Sequence, residues 1–343
     1  MPSPSYESTF AYLSQPSYSG GMEPYYDCLR LFVALLRNEQ GSAGEARLAE
    51  LAYHLDDEQR HALRRLATAA GRLDDAAIAA EISEAQFHAQ QARRFGARNP
   101  EQMDMPFWVF MVRRGWIAYQ ARREFDRAYR QYAEADRVRR EREQAGEALG
   151  DEPALPHPGY GPAIWCFRRF GMSLTRLPDG RALLIAGEHE DFYDPDFCIY
   201  NDVIVIDPEL RVTIYGYPQE VFPPTDFHSA TLVGEDSVYL IGSLGYMGER
   251  HVGTTPVYRL DTTSMQINPV DTTGANPGWI SSHSAEHDAA RNAIKVTGGQ
   301  IFTGKRGKAS LRDNRRGYWL NLTTMEWSRG KPSIRDGQGS GTS

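Results

Sequence analysis

The stretch that decides the fold is residues 227–242, FHSATLVGEDSVYLIG, with PVYRLD following at 256–261. Two further copies share this arrangement: FGMSLTRLPDGRALLIAG at 170–187 precedes NDVIVID at 201–207, and SHSAEHDAARNAIKVTGG at 282–299 precedes GYWLNL at 317–322. Ser173, Ser229 and Ser284 hold the same position in the three copies, 56 and 55 residues apart. A fixed period of this size is typical of repeated supersecondary units. We therefore expect three small antiparallel sheets, in which each apolar run is a buried second strand.

The three copies resemble Kelch-type β-propeller repeats, which begin with a His-Ser-like strand and continue with an apolar strand that ends in two glycines. Gly298 and Gly299 match the double glycine, and Trp327 matches the tryptophan of the fourth Kelch strand. The resemblance covers residues 164–330 and implies a propeller. Closed propellers usually need at least about four blades, so three blades leave two open ends. We expect an aromatic helix of this chain to cover the opening, with a homo-oligomer that closes the propeller as the alternative.

The chain before the repeats has a helical composition. Residues 22–148 are rich in Ala, Arg, Glu and Leu and poor in Gly and Pro. The predicted fold class is therefore α+β, with a helical domain at 22–148, a linker at 149–163 and the repeats at 164–330. Tails at 1–21 and 331–343 have a composition typical of disorder. One long helix is expected from Pro106 to about Gln144. Its apolar first half predicts burial against the sheets of Trp108, Phe110, Met111 and Trp116.

The charge balance argues against several classes of protein. With 38 Lys and Arg against 45 Asp and Glu, the chain lacks the excess of cations that nucleic-acid or membrane-surface binding needs. Its three cysteines have no metal-ligand spacing, and no apolar run is long enough to cross a bilayer. Nucleophile-elbow, P-loop and dinucleotide-binding motifs are missing from the sequence, so no cofactor is expected. We expect a cytoplasmic protein with no nucleic-acid or membrane partner.

Three long loops are predicted to share one face of the repeats. In a four-stranded antiparallel sheet, the loop between the second and third strands emerges at the same end as the connection to the next sheet. This places together the first insert (188–200), the second insert (243–255) and the third insert (300–316). We expect this face to bind a protein or peptide partner between an acidic and a basic lip, with exposed aromatic residues as anchors. The candidate contact residues are Glu188, Glu190, Asp191, Phe192, Tyr193, Asp194, Asp196, Tyr217, Phe222, Asp226, Phe227, Lys305, Arg306, Lys308, Arg312, Arg315 and Arg316.

The alternative function is a metal-assisted enzyme. The first insert supplies oxygen and imidazole ligands of the kind that bind hard cations. Those candidate ligands are Glu188, His189, Asp191, Asp194 and Asp196. His228 and His283 would be its catalytic residues. Both histidines hold the same repeat position, however, which is more typical of hydrogen-bonding groups within each sheet. The sequence therefore favours a noncatalytic recognition protein and leaves the enzyme as the second hypothesis.

Overall fold

The computed structural model describes residues 82–114, 118–146, 163–167, 169–189, 196–207, 211–305 and 310–332. Within these ranges the chain is α+β, with helices first and mostly antiparallel strands after them. The helices are α1 (Glu84–Gln90), α2 (Pro106–Arg114), α3 (Ala118–Phe125) and α4 (Arg127–Gln144). The helices predicted before residue 82, the linker at 149–162 and the two tails, apart from residues 331–332, lie outside the described residues.

The single long helix predicted from Pro106 is wrong. A helix does begin at Pro106, but α3 ends at Phe125 and α4 starts afresh after Asp126. Asp126 adopts an extended backbone, and its carboxylate accepts a hydrogen bond from the Tyr129 N–H at 3.0 Å, which is how an N-cap starts a new helix. No described helix is long and apolar enough to cross a membrane.

Three sheets follow, each containing a four-stranded antiparallel meander. Their second strands are the three predicted apolar runs, which confirms that prediction. Sheet 1 is β2 (Ser173–Arg176), β3 (Ala182–Ile185), β6 (Val203–Ile206) and β7 (Val212–Gly216), with β1 (Glu101–Gln102) added at its edge; sheet 2 is β8 (Ser229–Val233), β9 (Ser237–Ile241), β10 (Val257–Asp261) and β11 (Ile267–Pro269); sheet 3 is β14 (Ser284–Asp288), β15 (Ala293–Thr297), β18 (Arg316–Asn321) and β19 (Glu326–Pro332), with β12 (Thr273–Gly274) added at its edge.

Two small sheets are built from the inserts. In the first insert, β4 (Glu188–His189) pairs with β5 (Cys198–Ile199). In the third insert, β16 (Gln300–Phe302) pairs with both β17 (Leu311–Asp313) and β13 (Ile280–Ser281), which lies in the segment that joins sheet 2 to sheet 3. The described ends of the first and third inserts are therefore paired strands.

The three main sheets pack face to face in a row. Because side chains alternate along a strand, β9 presents Val238 and Leu240 to sheet 1, where they share a core with Leu183. Its alternate residues, Tyr239 and Ile241, share a second core with sheet 3. The first strands of the sheets also meet, since β8 contacts both β2 and β14. Sheet 2 therefore packs against a neighbouring sheet on both of its faces, and sheets 1 and 3 lie at the two ends of the row.

Sheet 1 ends the row by sharing a core with the helices. Leu184 and Ile204 point away from sheet 2 and pack in one cluster with Phe107 and Trp108. As predicted, the following aromatic-helix residues are buried: Trp108, Phe110 and Met111; Trp116 lies outside the described residues. The expected cover of the repeats by this aromatic stretch is confirmed on the outer face of sheet 1.

A buried ion pair joins the helices to sheet 1. The Arg169 guanidinium contacts both carboxylate oxygens of Asp202, which also accepts a hydrogen bond from the Trp165 indole at 2.7 Å. Trp165 stacks on Trp108 of α2, with 5.0 Å between the ring centroids. Arg169 lies 3.5 Å from the Tyr200 ring centroid as well. Because a buried charge is tolerated only when it is paired and hydrogen-bonded, this arrangement stabilises the junction only as a complete set.

The outer edges of all three sheets are covered. The edge of sheet 1 pairs with β1, and that of sheet 3 pairs with β12. At the edge of sheet 2, the Asn99 side chain accepts from the Ile267 N–H at 2.9 Å and donates to the Ile267 carbonyl at 2.7 Å. An amide side chain therefore takes the place of a paired strand. Covered edges do not invite pairing with other chains.

Candidate functional site

The three inserts meet at one end of the row of sheets, which we call the loop end. In the first insert, Phe197 packs edge to face on Tyr246 of the second insert, with 5.8 Å between the ring centroids. The Tyr246 hydroxyl also accepts a hydrogen bond from the Ile199 N–H at 2.9 Å. Arg250 of the second insert lies over the Phe302 ring of the third insert. The structure therefore brings together the three loops that the sequence placed on one face.

Asp226, predicted to contact a partner, is fully buried and holds the second insert in place. Its carboxylate accepts hydrogen bonds from the Gly245 N–H at 2.6 Å and the Ser243 hydroxyl at 3.1 Å. Burial raises the pKa of Asp226, while the hydrogen bonds from Gly245, Glu188 and Ser243 and the charge of Arg250 act in the opposite direction. Its predicted exposure is wrong, because the second insert needs an internal acceptor for its turn.

The aromatic residues predicted as exposed anchors are also inside the protein. Tyr217 and Phe222 are fully buried, and the Tyr217 hydroxyl donates to the Met265 carbonyl at 2.8 Å. Phe227 is half-buried with a backbone φ of 48°, and its N–H donates to the Gly171 carbonyl. These residues close the junction between sheets 1 and 2. The neighbouring prolines indicated a solvent-facing loop. In the structure, Tyr217 and Phe222 instead fill the space between the two packed sheets.

A cleft of about 600 Å³ opens at the loop end beside sheet 2. One wall comes from the second insert and the start of β10, and another from the chain that follows β11. Phe222 packs beneath it against Tyr258, with 5.2 Å between the ring centroids. The lining is Pro223, Pro224, Thr225, Ser243, Gly245, Gly248, Glu249, His251, Thr254, Thr255, Pro256, Val257, Tyr258, Pro269, Val270, Asp271, Thr272 and Trp279. A cleft of this size that mixes apolar walls with a few polar groups has the character of a binding site.

The walls of the cleft are held by direct contacts. The Trp279 indole N–H donates to the Leu244 carbonyl at 3.1 Å, and its ring packs against His251 with 5.9 Å between centroids. The Thr255 hydroxyl donates to the Gly278 carbonyl at 2.8 Å. These contacts join the second insert to the segment before sheet 3. The cleft is therefore pre-formed, which lowers the conformational cost of binding.

In the described part of the first insert, two of the predicted metal ligands point apart. Glu188 and His189 are adjacent in β4, so their side chains point to opposite sides of the strand. Glu188 faces Asp226, whereas burial lowers the pKa of His189 to about 4 and the Asp196 carboxylate lies 3.7 Å from its imidazole. The candidate ligands Asp191 and Asp194 lie outside the described residues, as do the candidate partner contacts Glu190, Phe192 and Tyr193. Within the described ranges, no group of three or more His, Cys, Asp or Glu side chains could hold a metal ion.

The third insert presents cations at the surface. Lys305, Arg312 and Arg315 are exposed and Arg316 is half-buried. Arg306 and Lys308 lie outside the part of the chain that the structure describes. The turn at Gly304 lies against Val252 of the second insert, which is also exposed. The start of the third insert, with Lys305 next to Gly304, therefore lies beside the second insert.

His228 and His283 link neighbouring sheets. The His228 Nε2 is hydrogen-bonded to the Ser173 hydroxyl at 2.7 Å, and the His283 Nε2 to the Ser229 hydroxyl at 2.9 Å. The prediction that they bond within a sheet is thus corrected, since each serine belongs to the preceding sheet. Burial lowers the pKa values of His228 and His283 to about 3 and about 4. Among the described residues neither Nδ1 has a hydrogen-bond partner, so the carboxylate of a catalytic triad is missing.

Sequence reasoning missed the residues that line the cleft. It named the second insert but selected no residue from it, and it did not consider Trp279. The signal was weak, because Pro223, His251, Val270 and Trp279 come from four separate segments. The proline-rich connections before β8 and after β11 were the available hint, since rigid segments often form the walls of binding sites.

Comparisons with known proteins give no identity. No protein-family profile matches the sequence, and no curated protein matches it. One similar solved structure is titled "Structure of YjhT"; it is 15% identical, with a TM-score of 0.35. The match covers 47% of this chain and 55% of that one, so the chain spans about half the length of YjhT. A likeness of this size says nothing about function.

Proposed function

We propose that this chain is a recognition protein built on an open, Kelch-type arc of three blades, and that it binds an extended segment of a protein partner at the loop end. The observation that carries the proposal is the cleft of about 600 Å³ beside sheet 2. It is open to solvent, its walls are fixed, and it is lined by the second insert, which contacts both the first and the third insert. A peptide segment is favoured because several lining residues of the second insert, Glu249, His251 and Thr254, are exposed, so an extended chain could reach the cleft along the surface.

Side-chain chemistry around the cleft supports recognition more than catalysis. Trp279 and Tyr258 are half-buried aromatic side chains of the kind that dominate binding energy at interfaces. Charges of both signs surround them, with Glu249 and Asp271 in the cleft and the third insert's cations nearby. Such an arrangement steers and orients a partner of complementary charge. Across the described residues no nucleophile, base and orienting acid form a catalytic set at this end.

The experiment fills the cleft and compares that variant with a matched one elsewhere. Thr254 is exposed and lines the cleft, whereas Thr263 is exposed at the opposite end of sheet 2. The full chain and its Thr254→Tyr and Thr263→Tyr variants are used to capture partners, and the affinity of each purified partner is then measured. We expect Thr254→Tyr to weaken binding at least about tenfold, which is about 1.4 kcal/mol, and Thr263→Tyr to leave it unchanged.

Two results would count against the proposal. One is a partner that binds wild type and Thr254→Tyr with the same affinity. The other is equal weakening by both variants. Thermal unfolding of each variant provides the control for folding, and both are expected to match wild type because neither side chain is buried.

A further inference from the structure

The cleft beside sheet 2 contains two carboxylates and one histidine. Glu249 comes from the second insert and Asp271 from the chain after β11, and no lysine or arginine is among the described residues that line the cleft. Neither carboxylate forms an ion pair with any residue that the structure describes. At the opposite end of the sheets, two acids do form local ion pairs, Asp207 with Arg211 and Asp288 with Arg291. The cleft therefore carries uncompensated negative charge.

The aromatic walls suit a cation as well. The Trp279 indole N–H is already bonded to the Leu244 carbonyl, so the apolar ring is what remains of Trp279 for a ligand. Tyr258 and His251 line the same cleft. Ring faces attract guanidinium and ammonium groups, and carboxylates add charge-assisted hydrogen bonds. A cation at this position would meet both kinds of partner.

The nearest arginine does not neutralise the cleft. Arg250 donates to the carbonyl of Gly245, a lining residue, at 3.0 Å and lies 5.7 Å from the Phe302 ring centroid; its guanidinium is therefore engaged between the cleft wall and the third insert and forms no ion pair with Glu249 or Asp271. The other nearby cations, Lys305 and Arg312, are exposed on that insert. Positive charge thus lies around the third insert, and negative charge lies inside the cleft.

We infer that the cleft binds an arginine or lysine side chain of the partner segment, held between the Glu249 and Asp271 carboxylates against the Trp279 ring. This inference rests on the proposed function and specifies its ligand: a peptide whose central side chain is basic. An acidic segment would meet like charge in the cleft, and a neutral one would leave both carboxylates without a partner.

Isosteric peptides test the charge directly. The full chain is titrated with Ac-Ala-Arg-Ala-NH2, with the same peptide carrying citrulline, and with Ac-Ala-Glu-Ala-NH2. The readout is the Trp279 indole N–H resonance, which is assigned with Trp279→Phe. Citrulline keeps the shape of arginine without its charge. We expect saturable shifts with the arginine peptide, binding about fivefold weaker with citrulline, and none with glutamate, because one such charged contact contributes about 1 kcal/mol.

Charge-removing variants then identify the residues. Glu249→Gln with Asp271→Asn should reduce arginine-peptide binding to the citrulline level and leave citrulline binding unchanged. The control, Glu235→Gln with Glu326→Gln, makes the same change in net charge at two exposed positions away from the cleft and should have no effect. Equal binding of the arginine and citrulline peptides would overturn the inference, as would no saturable shift with arginine or tighter binding of glutamate.

These results can be separated from a failure of the proposed function. If Thr254→Tyr abolishes partner binding but arginine has no advantage over citrulline, the recognition site stands and its basic ligand is refuted. If the arginine peptide binds as expected but the partner binds Thr254→Tyr with the same affinity as wild type, the cleft is a cation site and the recognition function is refuted.

Discussion

The two ends of the row of sheets are terminated in opposite ways. The outer face of sheet 1 is apolar, and residues such as Leu184 and Ile204 are buried under the helices. The outer face of sheet 3 is polar: Lys295 forms an ion pair with Glu286 at 2.8 Å, and Ser328 is exposed beside the half-buried Trp319. One end is closed by a shared core and the other by a face that water can solvate.

This difference explains how a row of three sheets can stand without closing into a ring. Repeat proteins need terminal units with a polar outer face, because an internal unit would expose its apolar face. In sheet 3 the outward-facing strand residues are themselves polar. In sheet 1 they are apolar, and the helices that precede the repeats cover them. The polar face of sheet 3 also offers little apolar area to a second copy. The homo-oligomer, which the repeat count left as the alternative way to close the propeller, stays a prediction.

The largest expected effect comes from the aromatic stack at the covered end. Trp108 is fully buried against Trp165, so Trp108→Ala should lower the free energy of unfolding by roughly 3–5 kcal/mol. Trp319 lies half-buried over Gly317 and Gly330 at the polar end, and Trp319→Ala should cost less than about 2 kcal/mol. Denaturant unfolding of the two variants measures the difference. Equal losses would contradict the account of the two ends.

Removing the ion pair at each end should give nearly as large a difference in the free energy of unfolding. Asp202→Ala leaves the Arg169 charge buried without its partner, which should cost roughly 3–5 kcal/mol. Glu286→Ala removes a pair with Lys295 that is largely exposed, and should cost less than about 1 kcal/mol. Unfolding in low and high salt supplies the check. Only the contribution of the exposed pair should decrease at high salt. A loss of less than about 1 kcal/mol for Asp202→Ala would show that the buried ion pair does not stabilise the junction.

Acid should weaken the junctions between sheets, where His228 and His283 lie. Burial holds their folded-state pKa values at about 3 and about 4, below the value of about 6.5 expected when unfolded. The unfolded chain therefore binds more protons below about pH 6.5, and the stability is lost as pH falls from there toward the folded values. Each histidine contributes up to about 1.4 kcal/mol per pH unit. The stability of His228→Gln with His283→Gln should fall less steeply than that of wild type between pH 6.5 and 4.5. Identical slopes would refute this assignment.

The smallest effect compares two equivalent serines. Ser173 is bonded to His228 in the next sheet, but Ser284 is exposed on the outer face of sheet 3, where the row ends. Ser173→Ala should destabilise by about 1–2 kcal/mol, because it leaves the buried His228 Nε2 without a partner. Ser284→Ala should stay within about 0.5 kcal/mol of wild type. The midpoints of thermal unfolding separate the two, and a larger loss for Ser284→Ala would show that another group covers this end.

Local patterns made the repeats and their cover predictable. The strands β3, β9 and β15 are apolar runs at a fixed period, and the aromatic stretch after Pro106 could be stable only if it was buried. The break at Asp126 was not predicted, although aspartate is among the residues preferred at N-caps.

Long-range geometry accounts for what the sequence could not predict. Asn99 contacts Ile267 across 168 residues, and no local pattern marks that pairing. Tyr217 and Phe222 lie among prolines and glycines that indicate a loop, yet they fill a junction whose shape depends on two packed sheets. The cleft likewise combines segments spread from Pro223 to Trp279. Its lining could not be predicted without the conformation of the second insert, which depends on the hydrogen bonds that Gly245 and Ser243 donate to the buried Asp226 carboxylate.

The central claim is that recognition takes place at the loop end and not at the polar end of the row. Hydrogen–deuterium exchange of the full chain, with and without a partner that passes the Thr254→Tyr test, measures this directly. The account predicts slower exchange at 243–258 and 269–282 when the partner is bound, and no change at β14, β15 and β18. Protection confined to the outer face of sheet 3, with the cleft segments unchanged, would contradict it.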